Sequence, residues 1–380
     1  MKSKSIAAKK IAIIGGGLVG RLLAWRLASN HQPASGDTRH SRPNTRGTTS
    51  EDNGINQNIS ITVFEKGQLT PPSSQTDKAA AFTAAAMISP MSELVSSELE
   101  IFQLGQKSLK LWPKWLDQLD CPQHFHQQGS LVLAHPNDIG ELQQFQRDLS
   151  YKLSTQFPNE ILQTITSRDQ LSDLEPALSH HFHAGIYLPN EAHIDHDEVL
   201  NNLITHAKRL GAKFVEHCPL EPNDEYLKDY DTIFDCRGTG LKEKGFRGVR
   251  GEVLRLECKE ITLKRPIRLM HPRYKLYIVP KPNHQFIIGA TEIESEDRSS
   301  ISLRSSMELM SALYAVNPAF SEARILSQDT NLRPAYMDNL PRTEQFKSNF
   351  DKPIIRINGL YRHGYLIGPA IIEQALEAYL

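Results

Sequence analysis

The sequence predicts a mixed fold, α/β plus α+β: a Rossmann-like nucleotide-binding domain interleaved with an antiparallel-sheet domain. Three observations predict it. A glycine-rich turn stands between a short β-rich run and a helical run near the start of the chain. Segments with β-type alternation cluster between residues 251 and 291. The chain then returns to a strand, a loop and an apolar helix at its end.

The glycine turn anchors the first element. Lys10–Ile14 is strand-like, Gly15-Gly16-Gly17-Leu18-Val19-Gly20 follows, and Arg21–Ala28 suits a helix. The spacing G-x-G-x-x-G falls on Gly15, Gly17 and Gly20. The first glycine permits the tight turn, the second lets backbone N–H groups approach a pyrophosphate, and the third lets helix and strand pack closely. The helix then presents its positive end to the phosphates. Ile59–Glu65 is the next strand and ends in the acid that such a site needs. Glu65 would accept hydrogen bonds from both adenosine ribose hydroxyls and would repel a 2′-phosphate. That acid usually follows within about 20 residues. Here residues 31–58 intervene, polar and without Phe, Trp or Tyr, and they read as a mobile surface insertion.

Ala79–Met91 (AAAFTAAAMISPM) has little side-chain bulk. It reads either as a loop and helix start against which a flat ring can lie, or as an Ala-rich helix. Ser92–Leu119 is an amphipathic helix that Pro113 should kink or break. Gly129–Ala134 is a strand and Asn137–Leu153 a polar helix. Asp195 caps a helix that stops at Gly211. Ala212–Glu216 and Asp231–Cys236 are strands, and Gly251–Glu257, Lys275–Pro280 and Gln285–Thr291 suggest an antiparallel sheet. Ser305–Val316 is a helix and Ile354–Asn358 a strand, and Gly368-Pro369 opens the last helix. The order assigns 1–118, 177–245 and 326–380 to a nucleotide-binding domain. It assigns 119–176 and 246–325 to a substrate-binding domain.

Composition narrows the function. Lys+Arg number 43 and Asp+Glu 44 in 380 residues, a net charge of −1. That balance gives no electrostatic reason to expect nucleic acid or a membrane as partner. No run approaches the ~18 apolar residues of a membrane helix. The lysine-rich start leads into a glycine-broken run closed by Arg21, which does not read as a secretory signal. Cys121, Cys218, Cys236 and Cys258 are scattered and form no CxxC, so the expectation is a cytoplasmic protein without a disulfide framework. His180, His181, His183, His193 and His196 fit no ligand spacing, and no metal is expected. Homo-oligomerisation stays open.

An ordered set of motifs then narrows the reading further. Gly15–Gly20, the AAAM run Ala84–Met87, Arg250-Gly251-Glu252, LYIVP at Leu276–Pro280, IIGAT at Ile287–Thr291, LRP at Leu332–Pro334 and YRHGYLIGPA at Tyr361–Ala370 resemble the glycine oxidases of the ThiO type, within the D-amino acid oxidase superfamily. The likeness spans the chain except residues 31–58, and it implies FAD. By matching positions, Gly15, Gly17, Leu18, Val19 and Gly20 would hold the pyrophosphate, and Glu65 with Lys66 the adenosine end. Ala80, Ala81, Ala85, Ala86 and Met87 would line the diphosphate and flavin, and Leu220 would pack on the adenine side. Leu360, Tyr361, Arg362, His363, Gly364, Tyr365 and Leu366 would contact the isoalloxazine. Arg333 matches the carboxylate-binding arginine, Tyr277 its hydroxyl helper, and Arg362 a second arginine near the pocket. Ala86 and Ala335 stand where relatives often carry glycine, and Cys236-Arg237-Gly238-Thr239-Gly240 replaces an Ala-Gly-Trp-like segment. Both departures bear on the shape of the pocket.

Without the resemblance, Arg333-Pro334 reads first as an arginine in an extended surface loop before proline. Tyr277 is equally sheet filler, Arg362 a surface ion pair and Met87 core filler. The resemblance implies oxidation of glycine or a similar small amine acid to the imine or 2-oxo acid. Oxygen would be reduced to hydrogen peroxide and the product would serve thiamine thiazole biosynthesis. Two alternatives stay open. One is a dehydrogenase of sarcosine, proline or another amine with a non-oxygen acceptor, and the other a flavoprotein maturation factor without turnover.

Overall fold

The computed structural model describes residues 8–31, 59–72, 77–157, 160–273 and 276–380, so the expected insertion at 31–58 lies almost wholly outside the described residues. Two large sheets carry the architecture. The first has six strands in the order Arg342–Lys347, Pro353–Asn358, Thr232–Asp235, Lys9–Ile14, Ile59–Phe64, Lys213–Val215. Every neighbouring pair is parallel except the first, which is antiparallel. Central strands of such a sheet are covered on both faces, which is why Ile11–Ile14 is a continuous apolar run and Ile61–Phe64 is apolar but for Thr62, both buried along their whole length. Helices Leu18–Asn30, Leu99–Gln118, His196–Arg209 and Gly364–Tyr379 supply the cover, and their apolar residues form the largest core.

The second sheet has eight strands: Arg324–Tyr336, Phe246–Glu257, Gln285–Gly289, Leu276–Lys281, Ile267–Met270, Ser130–Ala134, Gly185–Leu188, Gln163–Ile165. It is antiparallel except where Ile267–Met270 runs parallel to Ser130–Ala134. Helix Leu303–Val316 packs its apolar side on this sheet, and helix Ile139–Gln156 packs on another part of it. A short sheet of Met87–Ile88, Ala192–Ile194 and Phe125–His126 completes the strands.

Several sequence expectations change. Gly185–Leu188 lies in a segment assigned to the nucleotide unit but pairs with Ser130–Ala134 in the second sheet. Arg324–Tyr336, part of the segment beginning at 326, pairs with Phe246–Glu257 there as well. The chain thus crosses between sheets more often than the partition allowed. The expected Ser92–Leu119 helix is two helices, Pro90–Leu94 and Leu99–Gln118, and the second continues through Pro113. Trp112, Trp115 and Leu116 are buried there and hold the helix across the missing backbone bond. The Ala-rich run is a loop with one 3₁₀ turn, Ala80–Phe82. Asp195 stands at the start of its helix without a side-chain cap; its carboxylate bonds His126 Nε2 at 2.8 Å and His124 Nδ1 at 3.2 Å instead.

The closing helix begins at Gly364, not at Gly368-Pro369. Pro369 sits inside it because the carbonyl it cannot serve is served from elsewhere. Tyr365 O accepts from Trp112 Nε1 at 2.8 Å, and Ala370 N donates to Ser108 Oγ at 3.2 Å.

Candidate functional site

A cavity of about 630 Å³ runs from the glycine turn to the edge of the second sheet. At one end the first strand stops at Ile14 and the chain turns into helix Leu18–Asn30, with Gly17 as its N-cap. Gly15 needs its φ of +104°, and a Cβ there would stand 2.4 Å from Cys236 O. Gly20 does not line the cavity; it lies beneath the turn, where a Cβ would meet Gly15 O at 1.9 Å. The helix carries no acid in its first turn, so its N–H groups and positive end face the cavity unopposed. Glu65 Oε2 accepts from Gly16 N at 2.6 Å and Oε1 from Gly67 N at 3.1 Å, which places its carboxylate against the turn. Lys66 is exposed and pairs with Asp77 at 3.0 Å. Leu220 lies on the same wall. This bare-backbone cradle fits the diphosphate and adenosine portion of a dinucleotide.

Arg21 is fully buried below the turn. Its Nε donates to Gly16 O at 2.7 Å, and its other nitrogens donate to Leu200 O and Leu69 O. Burial draws the guanidinium pKa down to about 10, against the pull of Tyr365, Glu65 and Glu216.

The middle of the cavity is walled by Ala80, Ala81, Ala85, Ala86 and Met87. Ala86 adopts φ +59°, a left-handed conformation that favours glycine. Asn331 Nδ2 ties this loop to the second sheet by donating to Lys78 O at 3.1 Å and Thr83 Oγ1 at 3.0 Å. Lys78 and Asp329 form a buried ion pair at 2.7 Å alongside. From the opposite side, Lys281 Nζ donates to Ala85 O and Ile194 O. Leu360, Tyr361, Arg362, His363, Gly364, Tyr365 and Leu366 face the same space, so the closing helix also directs its N-terminus there.

At the far end Arg333 extends from strand Arg324–Tyr336. Its NH1 donates to Arg250 O at 3.2 Å and its NH2 to Thr291 O at 2.9 Å, and it forms no ion pair with an acid among the described residues. The motifs around it explain how it fits. A Cβ on Gly251 would meet Arg333 NH2 at 2.4 Å, and one on Gly289 would meet Tyr277 Oη at 2.7 Å. Arg250 and Glu252 pair at 2.7 Å, and Thr291 Oγ1 donates to Glu252 at 2.9 Å, which fixes the two carbonyls that hold Arg333. Burial pushes the Tyr277 hydroxyl pKa up, so it stays a protonated donor.

Arg362 shares this end in a different electrostatic state. It pairs with Glu93 at 3.0 Å and Glu292 at 2.8 Å, and donates to Ser96 Oγ at 2.7 Å. Glu93 also takes Arg268 at 2.7 Å. Burial opposes the Glu93 charge, but Arg268, Arg362 and His363 together hold its carboxyl well below the usual range. His363 is buried with Nδ1 3.5 Å from Glu93, and desolvation, with Arg362 and Arg268 nearby, lowers its pKa to about 4. It is therefore neutral at pH 7.

The cavity thus gathers every residue expected from sequence to touch FAD or substrate except Gly20. Sequence reasoning missed Arg21, Lys78, Glu93, Arg268, Glu292 and Asn331. Arg21 carried one signal, a charge in an apolar first turn; the others come together only through the fold. His193 and His196 are buried behind the alanine loop, and among the described residues no group of His, Cys, Asp or Glu is arranged to hold a metal ion.

Comparison with known proteins bears on the family and the fold. The family profile described as FAD dependent oxidoreductase, DAO, matches residues 10–375. A protein of Rhizobium etli named as a thiamine biosynthesis oxidoreductase, ThiO, is 37% identical over 299 residues, covering 78% of this chain and 84% of its own. Among solved structures, a glycine oxidase from Bacillus cereus superposes with TM-score 0.72 at 19% identity, covering 97% of this chain and 96% of that one. An L-proline dehydrogenase from P. horikoshii superposes with TM-score 0.71 at 18% identity, covering 97% and 92%. These two show a shared fold.

Proposed function

The chain belongs to the DAO family of FAD-dependent oxidoreductases, and from that premise we propose that it oxidises glycine or a similar small amine acid to the imine, with oxygen as acceptor, in the supply of the thiamine thiazole. The ThiO likeness supports the pathway. The observation that carries the substrate class is Arg333: a guanidinium oriented by two backbone carbonyls, with no acid paired to it among the described residues, on the cavity that holds the glycine turn.

Gly15, Gly17, Leu18 and Val19 would hold the FAD diphosphate, with Gly20 beneath the turn letting strand and helix pack closely, and Glu65, Lys66 and Leu220 would hold the adenosine. The alanine loop and Leu360–Leu366 would flank the flavin. When bound, FAD would supply the two-electron chemistry of amine oxidation, with oxygen as the proposed acceptor and hydrogen peroxide as the product. The chain's own residues do the positioning. Arg333 grips the α-carboxylate through paired N–H donors, and the Tyr277 hydroxyl donates beside it. This fixes the direction in which the α-carbon points. Burial of the walls excludes bulk water and strengthens the Arg333–carboxylate bond. The first turn of the closing helix adds positive potential where negative charge develops.

We place the protein in the cytoplasm; among the described residues no helix is long and apolar enough to cross a membrane. Oxygen uptake and peroxide formation by the FAD-loaded enzyme, with glycine, sarcosine and proline, test the reaction and its acceptor. Peroxide equal to oxygen consumed is expected. Turnover only with an artificial electron acceptor would replace the oxidase reading with the dehydrogenase one.

A further inference from the structure

The substrate end of the cavity holds three guanidiniums, Arg268, Arg333 and Arg362, and two carboxylates, Glu93 and Glu292. The carboxylates are not shared evenly. Glu93 takes Arg268 at 2.7 Å and Arg362 at 3.0 Å, and Glu292 takes Arg362 at 2.8 Å. Neither acid forms an ion pair with Arg333 among the described residues. Two of the three cations are therefore matched by two anions, and one positive charge is left over. That charge sits on the guanidinium whose partners are only carbonyl oxygens.

We infer that Glu93 and Glu292 act as specificity-determining residues: they mask Arg362 and Arg268, so the pocket accepts a ligand with one carboxylate and rejects one with two. The inference rests on the substrate class proposed above and deepens it. A ligand with one carboxylate balances the three guanidiniums and two carboxylates at this end of the cavity. A second carboxylate would have to displace Glu292 or Glu93 from Arg362, or lie beside them unpaired in a largely buried space. Glu292 is the accessible member, with half of its side chain exposed, whereas the Glu93 side chain is only 12% exposed, between the short helix Pro90–Leu94, the strand carrying Arg268 and the loop carrying Arg362. Removing the Glu292 charge leaves Arg362 with Glu93 as its one anionic partner and with positive charge facing the cavity.

The test is equilibrium titration of the FAD-loaded protein with glycolate, malonate and succinate, read as perturbation of the flavin absorbance. It needs no turnover. The wild type is expected to bind glycolate more tightly than either dicarboxylate. Glu292→Gln should shift the ratio of dissociation constants toward at least one dicarboxylate by about tenfold or more, a change of the size one nearby charge produces. Malonate and succinate are both used because they span different separations. Glu292→Asp keeps the charge and should keep the wild-type preference. Glu93→Gln should shift the ratio in the same direction; if it does not fold, Glu292→Gln carries the test alone. An unchanged ratio in Glu292→Gln overturns the inference, as does a wild type that binds a dicarboxylate best or binds no probe. Anaerobic reduction by sarcosine is followed in parallel. Charge discrimination without reduction would leave the masking intact and overturn the proposed substrate class.

Discussion

Arg333 is held by Arg250 O and Thr291 O rather than by a carboxylate, so its removal leaves no orphaned acid behind and its effect should appear in ligand handling. Arg333→Ala should lower the efficiency of flavin reduction by the substrate by roughly 30- to several-thousand-fold, the range expected for about 2–5 kcal/mol. FAD content should stay unchanged. Arg333→Lys keeps the charge but loses the paired donors, and should fall between. Rapid-mixing reduction under nitrogen measures both. The buried histidines make a different prediction. Desolvation holds His363 at about 4 and His196 at about 3, with Arg362 and Arg268 adding to the effect at His363 and Lys281 to that at His196. Unfolded, each would bind a proton near pH 6.5. Between those values the unfolded chain binds more protons, so stability is full above about pH 6.5 and falls as pH drops toward 4. For His363 alone the loss approaches about 3 kcal/mol. Urea midpoints at pH 7 and pH 5 should show the fall, and His363→Gln should flatten part of it.

At the scale of elements, two helices depend on one donated bond. Trp112 Nε1 supplies the Tyr365 carbonyl that Pro369 leaves without an N–H. Trp112→Phe should cost about 1–3 kcal/mol from the unpaired carbonyl. The cost should shrink in a Pro369→Ala background, where the helix can supply its own N–H. A double-mutant cycle by denaturant unfolding reads the coupling. Gly20→Ala should weaken FAD binding strongly, because its Cβ would strike Gly15 O and push the turn away from the helix. Titration of apoprotein with FAD measures it.

The same elements show what the sequence made legible. The first strand, the glycine turn and the first helix were readable because each local signal agreed with the others. The start of the last helix was misplaced because Pro369 reads as a helix opener when Trp112 is out of view. Strand Arg324–Tyr336 was not anticipated, since Asp329, Thr330 and Asn331 break any apolar alternation. They are buried nonetheless, and Asp329 and Asn331 are bonded to the alanine loop region. Glu93 and Arg268 are far apart in sequence and were invisible as a pair, whereas Arg333 and Tyr277 could be read because their motifs carry the glycines that make room for them.

For the whole molecule, the cavity takes walls from both large sheets: the glycine turn and closing helix from one, Tyr277 and Arg333 from the other. A ligand filling it contacts both, so FAD should stabilise the fold as a unit. At a hundredfold excess over its dissociation constant the gain is about 2.7 kcal/mol. The FAD-depleted protein should melt lower, and added FAD should restore the difference. The central claim, that a dinucleotide cradle and a carboxylate-gripping arginine form one amine-oxidising site, is tested most directly by mixing the FAD-loaded protein with glycine or sarcosine in the absence of oxygen and following the flavin absorbance. The account predicts bleaching of the oxidised flavin by at least one of them, slowed by roughly 30-fold or more in Arg333→Ala. An intact yellow protein that neither of them, nor any other small amine acid, can bleach would contradict it.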